Sequence, residues 1–247
     1  MAIARVELTG NINSRTARHI REIISYIGSS RKFKALILVV NSGGGDANSS
    51  ELLMEDIIRL RERIPVFSVI LGTGASGAYW IASGSTKIYA MNTSIVGSIG
   101  VIGMAPNVNQ LMNKLGVRVD VLKVGEYKDM LNPFTESSVA AREKYQAILE
   151  HSYNVFKNSI SQNRKLSPEI TEKVSTGEIF SAPQALELGL IDKIATEEDA
   201  ISDLVKGYGL KRKIRELSPR RSLMERLVSS GAAFAFFAKI FKTIDES

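Results

Sequence analysis

Apolar and polar positions along this chain follow two rhythms, and the switches between them mark out strand and helix units. Ile3 to Leu8 alternates with period two, which predicts a strand. Ser14 to Ile27 changes to helical spacing, with Ala17, Ile20, Ile23, Ile24 and Ile27 on one face and Arg15, Arg18 and Glu22 on the other. Ala35 to Val40 is apolar throughout, as expected of a parallel strand covered on both faces. It runs into Asn41-Ser42-Gly43-Gly44-Gly45-Asp46, and Ser49 to Ile64 is helical again. The glycine loop therefore opens at the C-terminal end of a strand, where α/β proteins place ligands.

The unit then repeats. Pro65 to Leu71 reads as a buried strand, a glycine-rich turn follows, and Ala78-Tyr79-Trp80-Ile81-Ala82 starts a helix. Lys87 to Ala90 and Ser94 to Ile102 are short strand candidates. Val108 to Leu115 is predicted as a helix and Val117 to Val124, with alternating apolar positions, as a strand. Ser137 or Ser138 caps a long helix from Val139 to Asn163, with Ala147, Ile148, Tyr153 and Phe156 in its apolar stripe. Ser167-Pro168-Glu169 starts another helix, Ala182 to Leu188 is one more, ended by Gly189, and Leu190 to Ile194 is a short closing strand.

A chain of 247 residues, 44% of them hydrophobic, can bury one sizeable core. With no Pro/Ser-rich linker, the economical reading is one α/β domain over residues 1–205 and a basic tail over 206–247. From Lys206 onward ten basic residues face four acidic ones, while residues 1–205 carry 22 of each sign, so the net charge of +6 belongs to the tail. That distribution argues against a nucleic-acid-binding face on the main domain. From Pro219 on, Leu223, Leu227, Phe234, Ala238 and Phe241 recur at three- to four-residue spacing. The apolar run Gly231 to Ala238 is shorter than the roughly 20 residues that span a bilayer, and suits a helix on a membrane surface or against a partner subunit. Residues 1–20 have no long apolar run, so neither a signal peptide nor a spanning helix is expected there.

Cysteine is absent, which removes disulfides, thiol nucleophiles and cysteine metal sites. His19 and His151 each lie in helical pattern without metal-site spacing, and no metal or other cofactor is expected. Chemistry gathers instead between Gly72 and Gly103. There Ser76, flanked by small residues, sits at a strand-to-helix turn. Capping is the commoner role for such a serine. The alternative is an exposed hydroxyl with backbone N–H groups around whatever it attacks. The glycine loop likewise reads either as a tight connection or as N–H donors for a developing oxyanion. A serine nucleophile needs a base. Lys128, between Tyr127 and Asp129 and three residues after Gly125, is a candidate. Its pKa would have to fall from about 10.4 toward 7 to 8 by burial, and pairing with Asp129 or Glu126 would prevent this.

The series N-S-x-G-G, A-S-G-A-Y-W-I-A, K-I-Y-A-x-x-x-S-I-V-G-S-I-G-V-I, G-E-Y-K-D, P-F-T and G-E-I-F-S-A-P-Q-A-L-E-L-G-L-I-D, in that order over about Ile3 to Ile194, resembles the signal peptide peptidase A (protease IV) family. The resemblance implies a ClpP/crotonase-like spiral of ββα units and a serine endopeptidase. In it Ser76 falls on the acylated nucleophile, Lys128 on the general base and Ser98 on the serine that orients the lysine. Gly44, Gly45 and the N–H of Gly77 fall on the oxyanion hole. The family forms rings or domes, and in its short members the serine and lysine come from neighbouring subunits. It acts on signal-peptide remnants or other membrane-derived peptides, apolar near the cut, so membrane association is expected here too. Gly43 stands where the family usually has proline, and Ala78 where it usually has glycine. Two other readings share parts of the pattern. One is a crotonase-like acyl-CoA enzyme, which would not need Ser76 or Lys128, and the other is a non-catalytic, membrane-docked ring scaffold in which Ser76 is only a cap.

Overall fold

A computed structural model describes residues 1–218 of the chain. Strand β1 (Ala2–Thr9), helix α1 (Ser14–Ser29), β2 (Phe33–Ser42), α2 (Ala47–Arg61) and β3 (Val66–Ala75) come first, with β1, β2 and β3 side by side and parallel. Asn13 caps α1 by accepting from the Arg15 and Thr16 N–H groups, and Asp46 caps α2 through the Ser49 N–H at 2.8 Å. The expected helix at Ser49 thus starts two residues earlier, where the aspartate stops the glycine loop.

The unbroken apolar run in β2 has the cause expected of it. Leu36, Leu38 and Val40 enter one core with Ile20, Ile24, Leu53 and Ile57 of α1 and α2. The alternate residues Ala35, Ile37 and Val39 enter a second core with Phe67, Tyr89, Ala200, Ile201 and Leu204. The last three belong to α8 (Glu197–Tyr208), which covers the other face of the sheet. A period of two along one strand thus feeds two separate apolar layers.

After β3 come α3 (Gly77–Ser83), β4 (Lys87–Ala90) and β5 (Ile95–Gly97). β4 pairs with the first half of β3 and β5 with its last three residues, so the sheet divides along β3. Helices α4 (Asn109–Lys114), α5 (Val139–Arg164) and α6 (Pro168–Val174) lead to β6 (Ile179–Ser181), α7 (Ala182–Glu187) and β7 (Lys193–Ile194). β6 runs antiparallel beside β5, and β7 pairs with β4. Ser138 caps α5 and Ser167 caps α6, as their positions in the sequence predict. Segment 206–217, the start of the basic stretch, completes α8 and supplies β8 (Ile214–Leu217), which joins the sheet parallel to β1. The amphipathic pattern over 219–241 lies outside the described residues. No described helix is long and apolar enough to cross a membrane.

Three expectations need correction. The strand candidate Ser94–Ile102 shrinks to Ile95–Gly97, because Ser98 turns to φ 53° and leaves the extended ladder. Val117–Val124 is not a strand: no neighbouring strand among the described residues takes its backbone, and Leu122 and Val124 are each 97% exposed. The stripe on α5 is interrupted: Ala141, Phe156 and Ile160 are buried, while Ala147 and Ile148 between them face outward. An apolar period gives the face of an element and does not say whether the same chain covers it.

The second half of α5 is anchored by Phe156, whose ring stacks on Trp80 of α3 at 4.5 Å and 21°. Replacing Phe156 by alanine should cost about 3–5 kcal/mol, the usual loss for an emptied aromatic site, and chemical denaturation would measure it. A loss below about 1 kcal/mol would show that α5 does not hold α3 in place.

Candidate active site

Ser76 stands between the last residue of β3 and the first of α3. Its backbone adopts φ 51°, ψ −129°, a region that residues with a β-carbon seldom enter. Three contacts hold it there. Its N–H donates to the Gly97 carbonyl at 2.8 Å, its carbonyl accepts from Trp80 N–H at 3.0 Å, and its half-buried Cβ packs beside Gly44. The hydroxyl makes no capping bond to α3. The commoner role for a serine at this turn is therefore unfilled. Such backbone strain amounts to about 1–3 kcal/mol and clusters at functional sites.

The Asn41–Asp46 loop, at the end of β2, lies directly against this turn. A β-carbon on Gly44 would fall 2.7 Å from the Gly77 nitrogen and 2.8 Å from Ser76 Cβ, and Gly44 itself has φ 98°. A β-carbon on Gly45 would fall 2.1 Å from the Ile12 carbonyl oxygen, and one on Gly77 2.2 Å from Ser50 Oγ. Glycine at these positions is thus a condition of close backbone approach. Among the described residues the N–H groups of Gly45 and Gly77 donate no hydrogen bond.

Ser98 comes in from the neighbouring strand. The β3–β5 register pairs Ala75 with Gly97, so Ser76 and Ser98 are side by side at the C-terminal ends of two parallel strands. Ser98 also has positive φ, is half-buried, and donates its N–H to the Glu178 carbonyl at 2.6 Å.

Lys128 is not brought into this cluster. It is exposed, in a turn where its N–H donates to the Gly125 carbonyl at 3.2 Å, and its ammonium forms no hydrogen bond or ion pair among the described residues. Asp129, one of the two carboxylates that could have held it, is engaged by Lys123 at 2.5 Å, and that ammonium holds its carboxyl below the ordinary value. Glu126 lies against the Tyr127 hydroxyl and raises that phenol. No cluster of three or more metal-ligating side chains occurs among the described residues.

Sequence reasoning passes over two neighbours of the glycine loop. Asn41 Oδ1 accepts the Thr73 N–H at 3.1 Å, and the buried Ser42 hydroxyl joins the loop to Gly10. Their only sequence signal is the Asn-Ser pair at the end of the strand.

Peptidase family S49 matches residues 58–211, and the Clp protease family matches 2–111. The chain belongs to peptidase family S49. The resemblance to the signal peptide peptidase A family and the ClpP-like fold expectation are both borne out. A putative protease of Synechocystis is 36% identical over 198 residues, 80% of this chain and 71% of the relative. A putative protease of Methanocaldococcus jannaschii is also 36% identical, over 76% of this chain and 60% of its own length. A putative signal peptide peptidase SppA of Enterococcus faecium is 33% identical over 73% of this chain, which spans about half of that relative's length, 53%. Among solved structures, a mutant of the membrane-bound stomatin-specific protease 1510-N superposes with a TM-score of 0.57 at 17% identity, covering 88% of this chain and 98% of that one. At that identity the superposition speaks to the S49 chain's fold alone.

The strain at Ser76 can be measured. Ser76→Gly removes the Cβ that φ 51° disfavours and should raise unfolding stability by about 1 kcal/mol, net of the added chain entropy. Ser76→Ala keeps the Cβ and should leave stability within about 0.5 kcal/mol of the parent. Equal stabilities for the two variants would show that the turn is unstrained.

Proposed function

We propose that the chain is a serine endopeptidase with Ser76 as nucleophile and Lys128 as general base. The observation that carries this reading is the Ser76 turn, a strained serine whose hydroxyl caps nothing and whose Cβ is in contact with a glycine loop. Membership of a peptidase family supports peptide-bond hydrolysis and weighs against the acyl-CoA reading. The uncapped hydroxyl weighs against the scaffold reading.

In the proposed reaction the Lys128 amine, uncharged, takes the proton from Ser76 as its oxygen bonds to the scissile carbonyl carbon. A backbone N–H of the Gly44–Gly45 loop and that of Gly77 take the developing oxyanion, and Ser98 orients the lysine. The resulting ammonium gives its proton to the leaving amine as the C–N bond breaks. Water then attacks the acyl ester, losing its proton to the same amine, and frees Ser76 and the new carboxylate.

An exposed Lys128 cannot do this on a lone chain, since a lysine serves as base only when desolvated and neutral. The surface around it offers a way to cover it. Ile102, Met104, Leu111, Leu115, Leu122 and Val124 are all exposed within the stretch that carries the lysine. Large apolar side chains exposed in this number within one stretch are a feature of interaction surfaces. Self-association through this surface would bring Lys128 of one subunit to Ser76 of the next. The substrate class that the family suggests is an extended peptide, apolar near the cut and derived from signal peptides or other membrane segments, with the protein acting at a membrane surface.

Ser76→Ala and Lys128→Ala should each abolish cleavage of such a peptide while leaving assembly intact. Mixing the two after dissociation and reassembly should recover roughly a quarter of parent activity if every active pair spans two subunits. Turnover in either variant alone would remove that residue from its role, and no recovery in verified mixed assemblies would rule out pairing between subunits. Leu122→Asp together with Val124→Asp should reduce the oligomer to smaller species by light scattering and lower activity in step. An unchanged oligomer would place the interface elsewhere.

A further inference from the structure

The glycine loop is fixed to the molecule by contacts that the proposed mechanism does not use. Gly10 N–H donates to the Asn41 carbonyl at 3.2 Å, Ile12 N–H to the Gly44 carbonyl at 2.9 Å, and Asp46 N–H to the Ile12 carbonyl at 2.8 Å. Between them Ser42, 3% exposed, donates its hydroxyl proton to the Gly10 carbonyl at 2.6 Å and accepts the Gly44 N–H at 3.1 Å. One buried hydroxyl thus ties the loop to the β1–α1 connection and occupies one of its own N–H groups.

That occupation separates the two loop glycines. The Gly44 N–H is taken by Ser42, whereas the Gly45 N–H, like that of Gly77, has no acceptor among the described residues. The Gly45 nitrogen lies 3.5 Å from the point where a Gly77 β-carbon would stand, so these two N–H groups belong to neighbouring backbone beside Ser76. We propose that Ser42 is a positioning residue: by holding the Gly44 N–H it leaves Gly45, with Gly77, as the pair of donors for the oxyanion. This rests on the serine-peptidase reading above. Donors act on an oxyanion only if fixed before it forms, and Gly43, with no side chain, adds no stiffness to the loop. The Ser42 bonds supply that restraint.

The test uses the full-length assembled protein, an apolar peptide substrate and the matching peptide aldehyde, which forms a tetrahedral adduct. Ser42→Ala should lower kcat about 10- to 100-fold, less than the full loss of a donor, with KM within about twofold, and should weaken the aldehyde by the same factor as kcat. Ser42→Thr, which keeps the hydroxyl, should restore both. If alanine unfolds the loop, the isosteric pair Ser42→Thr and Ser42→Val isolates the hydroxyl in the same two measurements. Parent kcat and aldehyde affinity in Ser42→Ala or Ser42→Val would overturn the proposal. So would a loss that falls on KM alone, which a merely structural role would give. Residual turnover in Ser76→Ala would instead overturn the serine-peptidase reading, whatever Ser42 does.

Discussion

Two backbone segments, Gly44–Gly45 and Ser76–Gly77, approach so closely that no β-carbon fits on Gly44, and the central strands of the described chain hold them at that approach. Each segment comes off the C-terminal end of a central parallel strand, and adjacent parallel strands deliver their following loops to the same edge of the sheet. The contact itself contributes little attraction, since glycine has no side chain to bury. It persists because the strands behind it are held by two apolar layers, and because hydrogen bonds from Gly10, Ile12, Asp46 and Ser42 tie the loop to the β1–α1 connection.

That arrangement also explains how the strain at Ser76 is tolerated. A non-glycine residue at positive φ costs on the order of 1–3 kcal/mol, a sizeable share of a typical net stability of about 5–15 kcal/mol. Trp80, one turn after Ser76, supplies part of the restraint: its N–H donates to the Ser76 carbonyl and its indole is buried against Phe156. Burying an aromatic pair of this kind stabilises by several kcal/mol, more than the turn costs. The long helix α5, distant in sequence, therefore acts on α3 and its turn through this stacked contact and through Asn163, which donates to the Ser83 hydroxyl at 3.2 Å.

Much of this is legible in the order of the amino acids. The apolar run of β2 announces a strand covered on both faces, the caps at Ser138 and Ser167 follow from residue type, and the ordered motifs point to the family. Where periodicity stands alone, it fails for a common reason. Leu122 and Val124 in the Val117–Val124 stretch, and Ala147 and Ile148 of α5, belong to apolar periods yet are exposed among the described residues, and periodicity cannot tell a buried face from one awaiting a partner. Ser42 is hidden differently. Beside a glycine run a serine reads as ordinary loop, and its meaning comes from the Gly10 carbonyl, 32 residues earlier, which only folding brings near.

The described chain thus divides chemically into a restrained half and an uncovered one. Ser76, Ser98 and the glycine loop sit on restrained backbone, whereas Lys128 is exposed on a stretch of chain that also exposes Leu122 and Val124, side chains that water solvates poorly. Under the proposed mechanism the same event must bury the apolar surface and desolvate the lysine, so the energy of association and the generation of the base are coupled. Covering about 1,000 Å² or more of surface is what a stable interface requires, and burying an unpaired ammonium within it costs several kcal/mol, which the lysine avoids by giving up its proton. The Lys123–Asp129 pair matters here, because it keeps the nearest acid occupied. A free Asp129 would travel with Lys128 into the interface and hold it charged, and assembly would then proceed without producing a base.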